Sequence, residues 1–222
     1  MIEFCNVKLS YVKEYFALYN LNLKVENGDK VAIVGGQDDG KTSFLRILAK
    51  LEDPTSGEVY FNNFPLDSID YAKDLSVAYI ASKPILLSGS VKKNLNYVLK
   101  LRKVAKEERE KLVPQILEDF GLSAVANQRV KRLGIYQKRL LQFAMLSVRD
   151  KIDLLLVDDI LQGLSESEHQ NIKDILKQFI KKNTTMFFAT SSLEQGKELC
   201  DKIVYLKLGA IEKIENNKLK IK

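Results

Sequence analysis

Cysteine, histidine and proline are all scarce in these 222 residues: two, one and four, respectively. Cys5 and Cys200 lie far apart and match no metal or redox spacing, which leaves two reduced, mostly buried thiols of a cytosolic chain. The single histidine, His169, sits in an amphipathic pattern away from every motif below and reads as a surface residue. No low-complexity tract appears. No apolar run approaches the roughly 20 residues of a membrane span, and the opening residues lack a signal-peptide pattern. "MIEFCNVKLSY" reads instead as a first strand. Only positive charge is in surplus, at a formal +6 and a pI of about 9.1. The basic residues are dispersed, however, and the run "KLRKVAKEEREK" is mixed in sign, as a solvated helix face is. No aromatic platform is interleaved with them, so nucleic acid is disfavoured as a partner.

What is present alternates. Short β-rich runs at 2–9, 21–25, 31–34, 57–61 and 77–80 are punctuated by glycines. From about 84 to 147 the periodicity is helical, with one stripe of Leu112, Ile116, Leu117 and Phe120 and a second in "YQKRLLQFAML". "DLLLVDD" (153–159) is an apolar run of buried-strand length that ends in acids. "SESEHQNIKDILKQFIKK" opens with a capping-box pattern, Ser165 to Glu168, and "TTMFFAT" and "KIVYLKLGAIEKI" read as closing strands. Strands alternating with helices around a helical stretch predict an α/β core with a helical lobe.

"VAIVGGQDDGKTSFLRIL" (31–48) fits G-x-x-x-x-G-K-[ST] with Gly35, Gly40, Lys41 and Thr42, between an apolar strand and an amphipathic helix. In such a loop the glycines let backbone N–H groups turn onto phosphate oxygens at a helix N-terminus. The lysine neutralises the β and γ phosphates, and the hydroxyl holds Mg²⁺. A carboxylate at the tip of a neighbouring strand should orient the Mg²⁺ shell, and "LLLVDD" supplies Asp158 with Asp159 beside it. Asp38 and Asp39 are out of place in a loop that cradles a polyanion. Aimed at the phosphates they would repel them; turned away they are tolerable.

Taken in order, these motifs resemble the nucleotide-binding domain of ATP-binding cassette (ABC) proteins over nearly the whole chain. "LSYVKEYFALYNLNLKVENGDKVAIVGG" is similar to the family's opening, "LEDPTSGEVYFNN" to the segment after the P-loop helix, and "LVDDILQGLS" to the second acidic motif. "FFATSSLEQGKELCDKIVYLKLGAI" resembles the switch segment and final strands, and "VAYIASKPILLSGSVKKNL" the exporter-type form of the family. The resemblance implies an α/β P-loop core with a mixed sheet and an N-terminal antiparallel β part, covering 1–83 and 148–222, with a helical subdomain inserted at 84–147. It implies a chain bound at the cytoplasmic face of a membrane, working with a transmembrane subunit or domain and with a second nucleotide-binding domain, in a homodimer or heterodimer. Contact with the membrane partner is expected around Ser82, Lys83 and "PILLSG".

Carried over residue by residue, the family pattern gives Tyr11 as the ring that stacks on adenine. Gly35, Gly36, Gln37, Asp38, Asp39, Gly40, Lys41, Thr42 and Ser43 form the ATP loop, and Thr42 and Asp158 serve Mg²⁺, the latter through water. Other positions depart from the pattern. Ser82 stands for the glutamine that reaches the metal, Asp159 for the glutamate that orients the attacking water, and Ser191 for the switch histidine. The signature appears as "LGIYQ" (133–137), with Gly134 lacking the γ-phosphate hydroxyl and Ile135 and Tyr136 replacing two glycines. The binding half of the site is thus better kept than the hydrolytic half. The leading expectation is an ATP-binding transporter subunit with weak or absent hydrolysis; an active ATPase and a nucleotide-free scaffold are the alternatives.

Overall fold

The computed structural model describes residues 1–12, 15–71 and 73–217. In chain order the elements are β1 (Ile2–Val12), β2 (Tyr15–Val25), β3 (Lys30–Val34), α1 (Lys41–Leu48), β4 (Ser56–Phe61), β5 (Phe64–Pro65) and β6 (Val77–Ile80). There follow α2 (Val91–Leu101), α3 (Lys106–Asp119), α4 (Ile135–Leu146), β7 (Leu154–Asp158), α5 (Glu166–Phe179), β8 (Thr185–Thr190), α6 (Leu193–Leu199), β9 (Lys202–Lys207) and β10 (Ala210–Asn216). They divide into two units, one of Met1–Ser82, Ile152–Ile160 and Ile180–Lys222, the other of Lys83–Lys151 and Leu161–Phe179.

The first unit holds both sheets. A six-stranded sheet runs β10-β9-β3-β8-β7-β6, parallel except for β10, and a four-stranded antiparallel sheet runs β2-β1-β4-β5. Every residue of β3, β7 and β8 is buried, which explains their unbroken apolar runs: a central parallel strand has no solvent face to alternate toward. α1 packs between the sheets through Phe44, whose ring stacks on Phe4 of β1 at 4.6 Å and meets Phe187 of β8 at 5.5 Å.

The second unit is helical. Ser90 caps α2 by accepting from the Lys93 N–H at 3.2 Å. The wholly buried Asn94 side chain holds the preceding loop, accepting from the Leu87 N–H at 2.8 Å and donating to the Leu87 and Ser90 carbonyls at 3.0 Å each. The predicted box at the start of α5 forms, with the Ser165 N–H donating to Glu168 at 2.8 Å and the Glu168 N–H to Ser165 Oγ at 3.4 Å. The division differs from the sequence boundaries, which kept all of 148–222 in the core. Residues 161–179 group with the helical unit because the apolar stripe of α5 packs on α4, with Phe179 against Phe143 at 5.6 Å.

Candidate functional site

The phosphate-type loop is shaped by what crowds it. Gly40 has φ +94°, and a Cβ there would lie 2.2 Å from the Ala17 carbonyl oxygen of β2. At Gly35 a Cβ would lie 2.5 Å from the Leu206 carbonyl oxygen of β9. The two glycines of the motif are therefore imposed by neighbouring backbone before any ligand is considered. Asp38 also takes the left-handed region, at φ +62°, a conformation that aspartate tolerates better than most residues, and it is exposed with Gly36 and Gln37.

Asp39 is more constrained. Its Oδ2 accepts from the Gly36 N–H at 2.5 Å and its Oδ1 from the Leu208 N–H at 2.9 Å, in the turn between β9 and β10. Lys41, only 8% exposed, donates its ammonium to the carbonyls of Gly35, at 2.9 Å, and Gly36. The C=O of Gly35 and the N–H of Gly36 belong to one trans peptide and point in opposite directions. Asp39 and Lys41 thus grip opposite sides of the same peptide: the ammonium is on one side of the loop and the carboxylate is turned to the β9–β10 turn. Loss of that strap should be measurable. Asp39→Ala removes two charge-assisted hydrogen bonds and should destabilise the protein by about 1–2 kcal/mol in urea unfolding, with Asp39→Asn intermediate because its amide keeps one acceptor.

At the end of β7, Asp158 is 1% exposed. The Thr42 hydroxyl lies 3.1 Å from each of its oxygens, and the Tyr79 hydroxyl of β6 donates to Oδ2 at 3.1 Å. Burial, then the adjacent Asp158 charge, holds the Tyr79 phenol well above its ordinary pKa, so it stays a donor at any physiological pH. A hydroxyl beside a carboxylate is a donor set suited to a hard divalent cation that keeps most of its water, and Mg²⁺ fits these two residues.

The remaining candidates flank this pair. Asp159 follows β7 with φ +43° and its N–H on the Ala189 carbonyl at 3.0 Å. Ser191 follows β8 and is exposed, as is Ser82 after β6. The sheet order brings the C-terminal ends of β3, β8, β7 and β6 side by side, where open α/β sheets bind ligands. Tyr11, at the end of β1, is 55% exposed while its hydroxyl bonds Ser43 Oγ at 3.0 Å and the Glu52 carboxylate, itself paired with Arg46 at 2.7 Å. Burial, chiefly, and Glu52 push this phenol up as well.

In the helical unit Leu133 is buried and Gly134 precedes α4 in an extended conformation, φ −64° and ψ 166°, its N–H on Gln137 Oε1 at 3.3 Å. Ile135 is exposed and the Tyr136 hydroxyl donates to Asn171 of α5 at 2.9 Å. His169 is not the surface residue its helix suggested. It is half-buried, with Nε2 2.6 Å from the Leu161 carbonyl oxygen, because the start of α5 turns this ring onto the loop that follows β7. Tyr79, Glu52 and Arg46 were absent from the sequence candidates; no local pattern marks them, since each acts on a residue distant in sequence or outside the motifs.

Residues 18–162 match the family model of ABC transporters. The chain belongs to that family. Members bind ATP, typically with Mg²⁺. The cassette is 30% identical over 222 residues to the probable ABC transporter ATP-binding protein PEB1C of Campylobacter jejuni, covering 98% of this chain and 90% of that one. It is 29% identical over 215 residues to the sn-glycerol-3-phosphate import ATP-binding protein UgpC of Bartonella bacilliformis, covering 96% of this chain and 62% of UgpC. The cassette therefore spans less than two thirds of the length of that second relative. Among solved structures, a dimeric bacterial ABC transporter cassette superposes with a TM-score of 0.79 at 25% identity, over 99% of this chain and 100% of the other. The expected P-loop α/β core, with its mixed sheet and antiparallel N-terminal sheet, is the observed fold. Among the described residues no helix is long and apolar enough to cross a membrane.

Proposed function

We propose that the cassette binds Mg-ATP through Gly35–Ser43, Tyr11, Thr42 and Asp158, hydrolyses it weakly or not at all, and uses occupancy to regulate or drive a transmembrane partner. The contact between Thr42 and Asp158, with Lys41 seated in the loop, carries this reading: the groups that would hold a nucleotide are assembled. Bound Mg²⁺ would supply charge neutralisation for the β and γ phosphates. Tyr11 offers an exposed ring whose hydroxyl is tethered to the first turn of α1, consistent with a base stacked on it.

The hydrolytic groups support the second half of the proposal. Asp159 is one methylene shorter than the family glutamate, a loss of roughly 1.5 Å in reach, and misplacement of about 1 Å can lower a rate about 10²-fold. Ser191 offers no imidazole and Gly134 no hydroxyl. In a homodimer both shared sites would carry all three changes. Ser82, Lys83 and "PILLSG" would face the membrane partner at the cytoplasmic side. Their exporter-like form stands beside relatives named for import and for export.

Calorimetric titration of the cassette with ATP and Mg²⁺, paired with phosphate release by the wild type and by Asp159→Glu, tests this. Saturable binding and a slow wild-type rate that Asp159→Glu raises about tenfold or more is the expected result. A fast wild-type rate that Asp159→Glu does not raise would establish an active ATPase, and a folded cassette that binds no nucleotide would establish a scaffold.

A further inference from the structure

Asp158 has almost no access to water, and two oxygens to satisfy. The Thr42 hydroxyl has one hydrogen and sits equally far from both. The second hydrogen comes from Tyr79, and the sheet explains how it arrives. Tyr79 is in register with Leu156, and Asp158 lies two residues further along β7 on the same face. A diagonal neighbour in a sheet is within reach of a long aromatic side chain. A cation held by Thr42 would occupy lone pairs of Oγ1 and leave its single proton for one carboxylate oxygen. Among the described residues, Tyr79 would then be the one side chain left to donate to the other oxygen.

We infer that Tyr79 is a positioning residue for the metal-side carboxylate: its hydroxyl fixes the plane of Asp158 and so sets how readily the site takes a divalent cation with nucleotide. The inference rests on the Mg-ATP reading above. Groups that orient a carboxylate or imidazole behind a metal shape affinity as strongly as many direct ligands do. With phenylalanine at 79, the carboxylate keeps its burial but is left with the single Thr42 hydroxyl hydrogen for two oxygens, and it is freer to swing about its bond to Cβ.

Tyr79→Phe is expected to raise the Mg²⁺ concentration for half-maximal ATP binding about tenfold. ATP binding in EDTA should be unchanged. The control is Tyr71→Phe, which deletes another half-buried phenol hydroxyl in the same unit, one bonded to the Leu48 carbonyl. It should leave the Mg²⁺ response unaltered even if it lowers stability. An unchanged Mg²⁺ midpoint in a folded Tyr79→Phe protein overturns the inference, as does an equal shift in Tyr71→Phe. A 3-fluorotyrosine at position 79 keeps the hydroxyl and covers the case in which Tyr79→Phe does not fold. Its ¹⁹F resonance should move when Mg²⁺ is added to the ATP-bound protein, and a resonance that stays in place counts against the inference. Failure of the wild type to bind Mg-ATP would sink the functional reading as a whole; a wild type that binds beside an unaltered Tyr79→Phe sinks this inference alone.

Discussion

Lys41→Ala is expected to weaken Mg-ATP binding about a hundredfold while the cassette stays folded. The lysine opens α1 and is nearly buried, yet its only hydrogen-bond acceptors among the described residues are two carbonyls of its own loop, those of Gly35 and Gly36. Those carbonyls hold the ammonium inside the curve of the loop, where incoming phosphate oxygens would replace them as stronger, charged acceptors. Hydrogen bonds to a charged group contribute about 1.5–3 kcal/mol, which is roughly 10- to 150-fold in affinity, and the partly desolvated loop favours the upper end. Truncation adds a second penalty, since the two carbonyls would then face the phosphates with no cation between. Alanine is a good first-turn helix residue and leaves α1 intact, so the melting temperature should stay within a few degrees of wild type. Titration calorimetry beside a thermal melt reads both quantities. Affinity retained within about threefold would place the phosphates away from this loop.

The same loop shows how far the sequence was legible. The spacing of Gly35, Gly40, Lys41 and Thr42 could be read because each demand is local: a left-handed turn, a close backbone, a helix start. β3, β7 and β8 could be read because strands buried on both faces are apolar throughout, and the start of α5 because Ser165 and Glu168 form a box within one turn. Contacts that cross the fold could not be read. Nothing near Asp39 announces that Leu208 supplies its second donor, and nothing near Tyr79 announces Asp158. β1 and β2 run longer than their alternation indicated because the ladder slips between Phe4 and Val7 and again beyond, with Asn6 and Asn20 at positive φ. A strand with bulges loses its period of two, and with it the signal. For His169 the helical stripe was right and the conclusion was not, since a position at the edge of a stripe can turn either way.

Gly40→Ala should destabilise the cassette by about 3 kcal/mol or more, the largest stability change expected from any one methyl group in the loop. Two independent costs add. The backbone is at φ +94°, where an L side chain is strained, and the new Cβ would meet the Ala17 oxygen at 2.2 Å and Leu18 Cδ2 at 2.9 Å. The leucine methyl can yield. The Ala17 carbonyl has less freedom, because it lies in β2 between Phe16 and Leu18, which pair with Ser10 and Leu9 of β1. Relief would have to come from the loop itself, moving the first turn of α1 and with it Lys41 and Thr42, so nucleotide binding should fall together with stability. Gly134→Ser is the informative contrast. That glycine has an ordinary φ of −64°, nothing within 4 Å of where a Cβ would project, and the N-cap position of α4, where serine is favoured over glycine by a few tenths of a kcal/mol. Its stability should be equal to wild type or slightly higher. Urea unfolding of the two variants separates a glycine that the fold requires from one that it merely accepts. If the contrast holds, glycine at 134 is not a demand of the backbone, and a serine there would leave folding intact.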